Sequence, residues 1–417
     1  MDFFSAIPLP LWIAALLAFY MAWAIGANDV ANAMGTSVGS GALTVGGAII
    51  VAAIFEFAGA FLAGGHVTDT VRKGMLDMSL LGREQLIYGM MASLASAGTL
   101  LIGATRFGLP ISTTHAIVGA IVGFGAVAIG IDAVNWPKVL QISLSWITSP
   151  LLAGVIAFTI FHLIRSTILN KSNPVHQIRK YGPAFFFFVF FIIGLVTLFK
   201  GLKHINLDLD LIEALVGSIA LGLIGSGLGA FFIRRVQIGE ADPDHRFDQV
   251  ERIFVVLQIL TACAIAFAHG SNDVANAIGP LAAIVNAVEN VDLTAKAPVA
   301  PWMLAIGGLG IVIGLATWGY RVMETVGKRI TELTPSRGFA AQLAAASTIV
   351  LASRLGIPIS TTHTLVGAVL GVGLARGITA LDLRVVGNIL ASWIATLPIA
   401  AALSVFFYYF FKGLLTA

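Results

Sequence analysis

Charge is scarce in this chain. Asp, Glu, Lys and Arg make up 11% of its 417 residues, against about 25% in an ordinary soluble domain. That shortage excludes a conventional water-soluble enzyme. Cysteine is scarcer still: Cys263 stands alone, so no internal disulfide can form. Neither sign of charge dominates, with 24 Lys and Arg against 21 Asp and Glu. No basic run is dense enough for a nucleic-acid partner. No basic stretch precedes the first apolar run, so no cleavable signal peptide is expected.

What fills the chain instead is apolar: 58% hydrophobic residues and 45 glycines against 14 prolines, with a mean hydropathy of +0.94. Runs near the ~20 residues that a bilayer demands recur along the whole length. They fall roughly at 10–33, 44–65, 85–104, 111–130, 138–164, 184–199, 211–233, 252–279, 301–320, 338–353, 359–375 and 383–411. The expected fold is therefore an all-α polytopic membrane protein with about twelve apolar segments. The stretch from Arg165 to Tyr181 carries Arg165, Lys171, Arg179 and Lys180 with no acid, which assigns the loop 166–183 to the cytoplasm. Two further spans return the chain to the same side at 234–251. Both termini are then expected outside.

A repeat of long period organises these segments. Gly26-Ala27-Asn28-Asp29-Val30-Ala31-Asn32-Ala33 recurs as Gly270-Ser271-Asn272-Asp273-Val274-Ala275-Asn276-Ala277, an offset of 272 − 28 = 244. Pro110-Ile111-Ser112-Thr113-Thr114-His115 recurs as Pro358-Ile359-Ser360-Thr361-Thr362-His363, an offset of 360 − 112 = 248. Same order and nearly the same offset mean duplication. Seven apolar segments precede Arg252 and five follow, so the halves begin on opposite sides of the membrane. The chain divides into a first inverted repeat (1–165), a linking region with two spans and cytoplasmic loops (166–251), and a second inverted repeat (252–417). Such halves bring matched motifs face to face at the midplane, as in secondary transporters. Re-entrant hairpins at the Ser-Thr-Thr segments would leave this parity unchanged.

On a helix Asn28, Asp29 and Asn32 share one face, and so do Asn272, Asp273 and Asn276. A membrane-buried carboxylate costs about 2.5–3.5 kcal/mol on insertion scales, and two in matched positions call for a compensating cation. Carboxylate, amide and carbonyl oxygens suit Na⁺, while no Cys/His spacing suits zinc or copper. The alternative is that these residues only hydrogen-bond between helices. Proline followed by hydroxyls suits a helix start, so Ser112, Thr113 and Thr114, with Ser360, Thr361 and Thr362, offer donors and a helix dipole to an oxyanion, or simply cap the helices.

Magnitudes favour coupling. One helix end contributes about 0.3–2 kcal/mol to an anion, whereas desolvating a charged group costs several. A cation about 4 Å away adds on the order of 4 kcal/mol at an effective dielectric of 20. The anion site should thus be tight only when cations are bound, and the converse follows by linkage.

Glu56, inside the 44–65 segment, is either an ion ligand or proton carrier, or a buried structural hydrogen bond. Its counterpart in the second half is apolar. Arg106 and Arg354 could touch the anion or snorkel to the interface. His115 and His363 read mainly as packing or hydrogen-bonding groups, His269 as local tuning beside the second Asn-Asp motif, and Phe185 to Phe188 as lipid-facing surface.

With its paired Gly-x-Asn-Asp-Val-Ala-Asn-Ala and Pro-x-Ser-Thr-Thr-His segments, the chain resembles the inorganic phosphate transporter (PiT) family over essentially its whole length. The resemblance implies phosphate as substrate, hairpins that carry the Ser/Thr triplets to the midplane, and homodimers in the bilayer. It places the family's signature residues on Asn28, Asp29, Asn32, Asn272, Asp273 and Asn276. The reading is a Na⁺-coupled phosphate symporter of the plasma membrane without an organic cofactor. Proton coupling, metal phosphate as cargo and sulfate transport are the alternatives within the family. An anion channel and an intramembrane enzyme are the rivals outside it; the motifs hold no clear nucleophile and base pair for the latter.

Overall fold

A computed structural model describes residues 8–65, 75–77, 80–198, 209–235, 246–289, 299–355 and 359–416. Part of the expected loop at 234–251, namely 236–245, lies outside the described residues, as does Pro358. The described residues are helical almost throughout. In chain order they form α1 (Leu9–Ile25), a π-helical turn (Gly26–Val30), α2 (Ala31–Gly39), α3 (Val45–Ala63), α4 (Arg83–Arg106) and α5 (Thr113–Ala128). Then come α6 (Trp136–Ile164), α7 (Pro174–Val196), α8 (Leu211–Arg235), α9 (Arg246–Glu289) and α10 (Pro301–Trp318). The chain ends with α11 (Tyr320–Glu324), α12 (Pro335–Arg354), α13 (Thr361–Arg376) and α14 (Leu383–Thr416). Nine of the described helical stretches are long and apolar enough to cross a membrane.

Helix starts follow local chemistry. Thr44, Ser112, Asn135, Asn173 and Ser360 each accept a hydrogen bond from the backbone N–H three residues on, filling orphan donors of the first turn.

Four of the roughly twelve apolar segments fold as arms of two hairpins. α4 and α5 descend to the turn at Phe107–Ser112 and come back, since Gln85 at the start of α4 donates to the Ala128 carbonyl at the end of α5, 3.2 Å away. In the second half α12 and α13 do the same: Arg376 at the end of α13 donates to the Glu332 carbonyl just before α12, 3.0 Å away. At 16 residues, α5 and α13 are too short to cross a bilayer alone.

Close helix approach depends on glycine. A Cβ on Gly26 would sit 1.8 Å from the Ile311 carbonyl oxygen, and one on Gly314 1.9 Å from that of Trp23. The pairing recurs at Gly270 against Glu56 (2.3 Å) and Gly59 against Phe267 (2.1 Å). α1 thus meets α10 as α9 meets α3, which makes Ile311 the counterpart of Glu56. The phenylalanine run is not simply lipid-facing: Phe185 and Phe186 are buried, and Phe185 packs on Phe254 and Phe339, with ring centroids 6.0 and 5.8 Å apart. Only one face of α7 can meet lipid, because the other packs on α9 and α12.

Candidate functional site

The two Asn-Asp motifs do not share a backbone form. Asn28 and Asp29 lie on the π-helical turn between α1 and α2, whereas Asn272, Asp273 and Asn276 sit within the unbroken helix α9. A π-turn widens the helix and is often found at functional positions. Here Asn28 secures it: its Nδ2 donates to Thr105 Oγ1 (2.9 Å) and to the Leu109 carbonyl (3.0 Å), and its Oδ1 accepts from the Ile111 N–H (3.2 Å). The asparagine therefore pins the first hairpin turn beside the first motif.

Both hairpin tips meet both motifs. Asp29 Oδ2 accepts from Thr113 Oγ1 (2.8 Å) and Thr361 Oγ1 (3.3 Å), while its Oδ1 accepts from Thr362 Oγ1 and from Asn32 Nδ2 (3.3 Å). Asp273 Oδ2 accepts from Thr361 Oγ1 at 2.6 Å, and its Oδ1 accepts from Asn272 Nδ2 at 2.7 Å. Each motif's last asparagine reaches a threonine of the other half: Asn32 to Thr362 (3.1 Å) and Asn276 to Thr113 (3.3 Å). Thr114 Oγ1 donates to the Ile359 carbonyl (3.2 Å). Ser112 and Ser360 use their oxygens to cap α5 and α13 through the His115 and His363 amides, at 3.2 and 3.1 Å. All of these side chains are buried.

His269, read from sequence as local tuning, lies at the centre instead. Its Nε2 is 2.9 Å from Asp273 Oδ2 and 3.8 Å from Asp29 Oδ1, and its Nδ1 is 3.0 Å from Glu56 Oε2. Asp29, His269 and Asp273 together make a potential cation-binding group, although sequence spacing shows no His-based metal site. The available signal was the i,i+4 spacing of His269 and Asp273, which puts both on one helix face. Glu56 thereby joins the site through the imidazole. At the matching positions of the repeat, Ile25 of the first half stands where His269 does and Ile311 of the second half where Glu56 does, so this polar pair breaks the symmetry.

Beside the site, His115 and His363 meet with ring centroids 4.3 Å apart, between Trp146 (3.7 Å from His115) and Trp393 (3.5 Å from His363). His115 Nδ1 lies 3.3 Å from the Trp393 carbonyl and His363 Nδ1 3.1 Å from that of Trp146. A carbonyl only accepts, so Nδ1 carries the proton in both rings. Pro150 has no N–H for the Trp146 carbonyl four residues back, and His363 supplies the missing bond. Both histidines pack and hydrogen-bond here, while their buried Nε2 atoms have no hydrogen-bond partner among the described residues. Arg106 is exposed; the Arg354 side chain lies outside the described residues.

The buried acceptors Asn32 Oδ1, Asn272 Oδ1 and Glu56 Oε1 have no hydrogen-bond partner among the described residues. Free oxygens beside two carboxylates fit a hard monovalent cation. A cavity of about 10 Å³, lined in part by Asp29, Asn32, His269 and Thr361, has room for one water-sized occupant. A tetrahedral oxyanion needs more room than this cavity offers.

Comparison with known proteins agrees with this arrangement. A model of the phosphate transporter family matches residues 25–404. A Haemophilus influenzae protein named as a phosphate permease is 48% identical over 401 residues, 95% of this chain and 96% of that one. The Arabidopsis thaliana protein "Inorganic phosphate transporter 2-1, chloroplastic" is 41% identical over 459 residues, 99% of this chain and 77% of that one. A solved structure titled "The sodium-dependent phosphate transporter" superposes with a TM-score of 0.90 at 41% identity, covering 97% of this chain and 99% of that one. With two duplicated motifs converging in an apolar helical bundle and likeness running from end to end, the chain belongs to the phosphate transporter family.

Proposed function

We propose that the protein is a sodium-coupled symporter that carries inorganic phosphate across the plasma membrane by alternating access, and that it is no enzyme. One observation carries the reading: two buried carboxylates, Asp29 and Asp273, meet the threonines of both helix starts, and among the described residues no Lys or Arg reaches them. Na⁺ would be held by Asp29, Asn32, Asp273, Asn276 and Asn272, with Asn28 fixing the π-turn that presents Asp29. Phosphate would be held by Ser112, Thr113, Thr114, Ser360, Thr361 and Thr362 and the first-turn amides of α5 and α13, with Asn28 and Asn272 at the edge. Glu56 tunes the cation site through His269.

The coupling follows from where the hydroxyl protons point. Thr113, Thr361 and Thr362 now donate to carboxylates, so they are unavailable to an anion. A cation between the carboxylates takes over that stabilisation and lets the hydroxyls turn. Its field adds on the order of 4 kcal/mol at 4 Å, more than the ~0.3–2 kcal/mol of one helix end. Phosphate then binds well only to the cation-loaded protein.

The halves 1–165 and 252–417 act as inverted repeats around this site, with 166–251 as an added helix pair. Two findings support that division: the matching hairpins, and the matching glycine contacts of α1 with α10 and α9 with α3. The termini are outside, and two connections face the cytoplasm: 234–251 and the basic stretch expected as a loop at 166–183, of which 174–183 belong to α7 instead, since Pro174 suits a first helical turn and Asn173 caps it. The protein works as a homodimer in the bilayer.

Radiolabelled phosphate uptake into proteoliposomes, under separately imposed Na⁺ and pH gradients, tests the proposal. Uptake driven by Na⁺ and competed weakly by sulfate is expected. Uptake indifferent to Na⁺ but driven by a pH step would replace Na⁺ with H⁺, and uptake requiring a divalent metal would make metal phosphate the cargo.

A further inference from the structure

The two sides of the site are sealed by different chemistry. On one side, the seam between α2, α9 and α12 is closed by buried polar side chains. Gln342 Nε2 donates to Ser37 Oγ (2.7 Å), Thr261 Oγ1 donates to Gln342 Oε1 (3.0 Å), Gln258 Nε2 donates to the Thr36 carbonyl (3.1 Å), and Ser40 Oγ donates to Gln258 Oε1 (2.8 Å). Thr36, Ser37, Gln258, Thr261 and Gln342 are all fully buried.

This file leads straight to the site. Ala33, whose carbonyl Gln342 also approaches at 3.4 Å, lines the small cavity together with Ile265 of α9 and Ile349 of α12. Gln258 and Gln342 each lie seven residues from those isoleucines, roughly 10 Å along their helices.

The repeat offsets identify what stands on the other side. At 244 residues, Ser37 corresponds to Leu281, Ser40 to Ile284, Gln258 to Ala14 and Thr261 to Leu17; at 248, Gln342 corresponds to Leu94. Ala14, Leu94, Leu281 and Ile284 are fully buried. At these positions one seam is thus hydrogen-bonded and its counterpart apolar; polar closure on the counterpart side lies further out, where Arg83 donates to the Ala287 and Val288 carbonyls at the end of α9. Parting an apolar seam exposes hydrocarbon to water, whereas a buried hydrogen bond can be exchanged for bonds to water at small net cost. At this depth only the polar seam can hydrate easily.

Its side of the membrane is also readable. The seam opens toward the start of α9, where Glu251 accepts from Ser336 (2.6 Å) and where Arg165 donates to the Ala375 carbonyl (3.1 Å). That face adjoins the basic stretch 166–183, which the positive-inside rule assigns to the cytoplasm.

We propose that Ser37, Ser40, Gln258, Thr261 and Gln342 form the cytoplasmic gate and the lining of the inner half of the permeation path, a polar latch that opens by hydration between α2, α9 and α12. This rests on the transport reading above.

The test uses the full chain in proteoliposomes, with the native thiol removed as Cys263→Ala and a single thiol introduced as Gln342→Cys. A membrane-impermeant methanethiosulfonate cation is applied to either face during phosphate uptake. The thiol should react from the cytoplasmic face, and its modification should cut uptake at least about tenfold. Leu94→Cys, treated from the opposite face, should react at least about tenfold more slowly, one decade being a small difference in opening free energy. The double variant Gln258→Leu with Gln342→Leu should lower maximal uptake about tenfold with little change in apparent phosphate affinity, and Ser37→Ala shows whether the seam still folds when one bond is lost. An unreactive thiol at 342, reaction only from the outer face, equal rates at 94 and 342, or normal uptake by the double leucine variant would each overturn the gate. Labelling does not depend on which cation drives uptake, so failure of sodium coupling alone would leave it readable.

Discussion

Asn32 Nδ2 donates to Thr362 Oγ1 across 3.1 Å, joining residues 330 positions apart. The bond ties the first Asn-Asp motif to the helix start of the other half, and Asn276 with Thr113 makes the reciprocal tie at 3.3 Å. A cation at the motifs and an anion at the helix starts would therefore share hydrogen-bonding partners, whichever binds first.

Removing one tie should weaken the linkage more than the fold. Asn32→Ala deletes a buried amide with one oxygen still free for a ligand, a loss of about 1–3 kcal/mol at the site. Phosphate uptake measured against Na⁺ concentration is expected to shift about tenfold or more toward higher Na⁺, while thermal unfolding in detergent moves only slightly. An unchanged Na⁺ dependence would remove Asn32 from the cation site.

Asp273→Asn removes one of the two carboxylates and keeps the shape. The charge acts at short range in a buried site, so the response to the cation should fall by at least about a hundredfold. A variant with normal Na⁺ dependence would show that Asp273 serves only to hold Thr361 and His269.

Glu56 and His269 should behave as a unit. Glu56→Leu alone leaves the imidazole without its 3.0 Å partner, at a cost of about 2–4 kcal/mol for a buried group left unpaired. Adding His269→Ile makes both positions apolar, as their repeat counterparts Ile25 and Ile311 are, and should recover at least half of that loss. A double-mutant cycle on unfolding temperature reads the coupling; strict additivity would mean that the pair contributes nothing jointly.

Gly26→Ala is expected to be severely destabilising, because its Cβ would fall 1.8 Å from a backbone oxygen and α1 must retreat from α10. Overpacking of this kind costs about 1–3 kcal/mol or more. Gly387→Ala, with nothing within 4 Å, is the control. Size-exclusion profiles of the two purified variants should differ sharply.

Phosphate binding should itself need a cation. Titration calorimetry in choline buffer, at fixed pH and free of metals, is expected to show phosphate heats reduced at least about tenfold in apparent affinity relative to Na⁺ buffer. Undiminished binding would dissolve the proposed coupling.

The duplicated motifs were legible because they are nearly identical local strings, and each needs only its neighbours to be recognised. Thr113 and Thr361 could be placed at helix starts for the same reason: proline and hydroxyls specify a cap within one turn. His269 was not legible as a central residue. Its importance comes from Glu56, 213 positions away, and from Asp29 on another helix. Hydropathy likewise could not separate the arms of the hairpins from crossings, since the apolar runs at 111–130 and 359–375 read as spans and only the folded helix bounds show α5 and α13 to be 16 residues long.

The sequence by itself determined that the chain lives in a bilayer and that two motifs recur, with carboxylates, amides and hydroxyls at matched points, because composition and local spacing carry that information. Tertiary structure decided which of those groups meet. It turned the threonines toward the carboxylates, set His269 between Glu56 and Asp273, and closed one seam with glutamines and the other with leucines. Such contacts depend on the directions of helices hundreds of residues apart, and no local pattern encodes a direction.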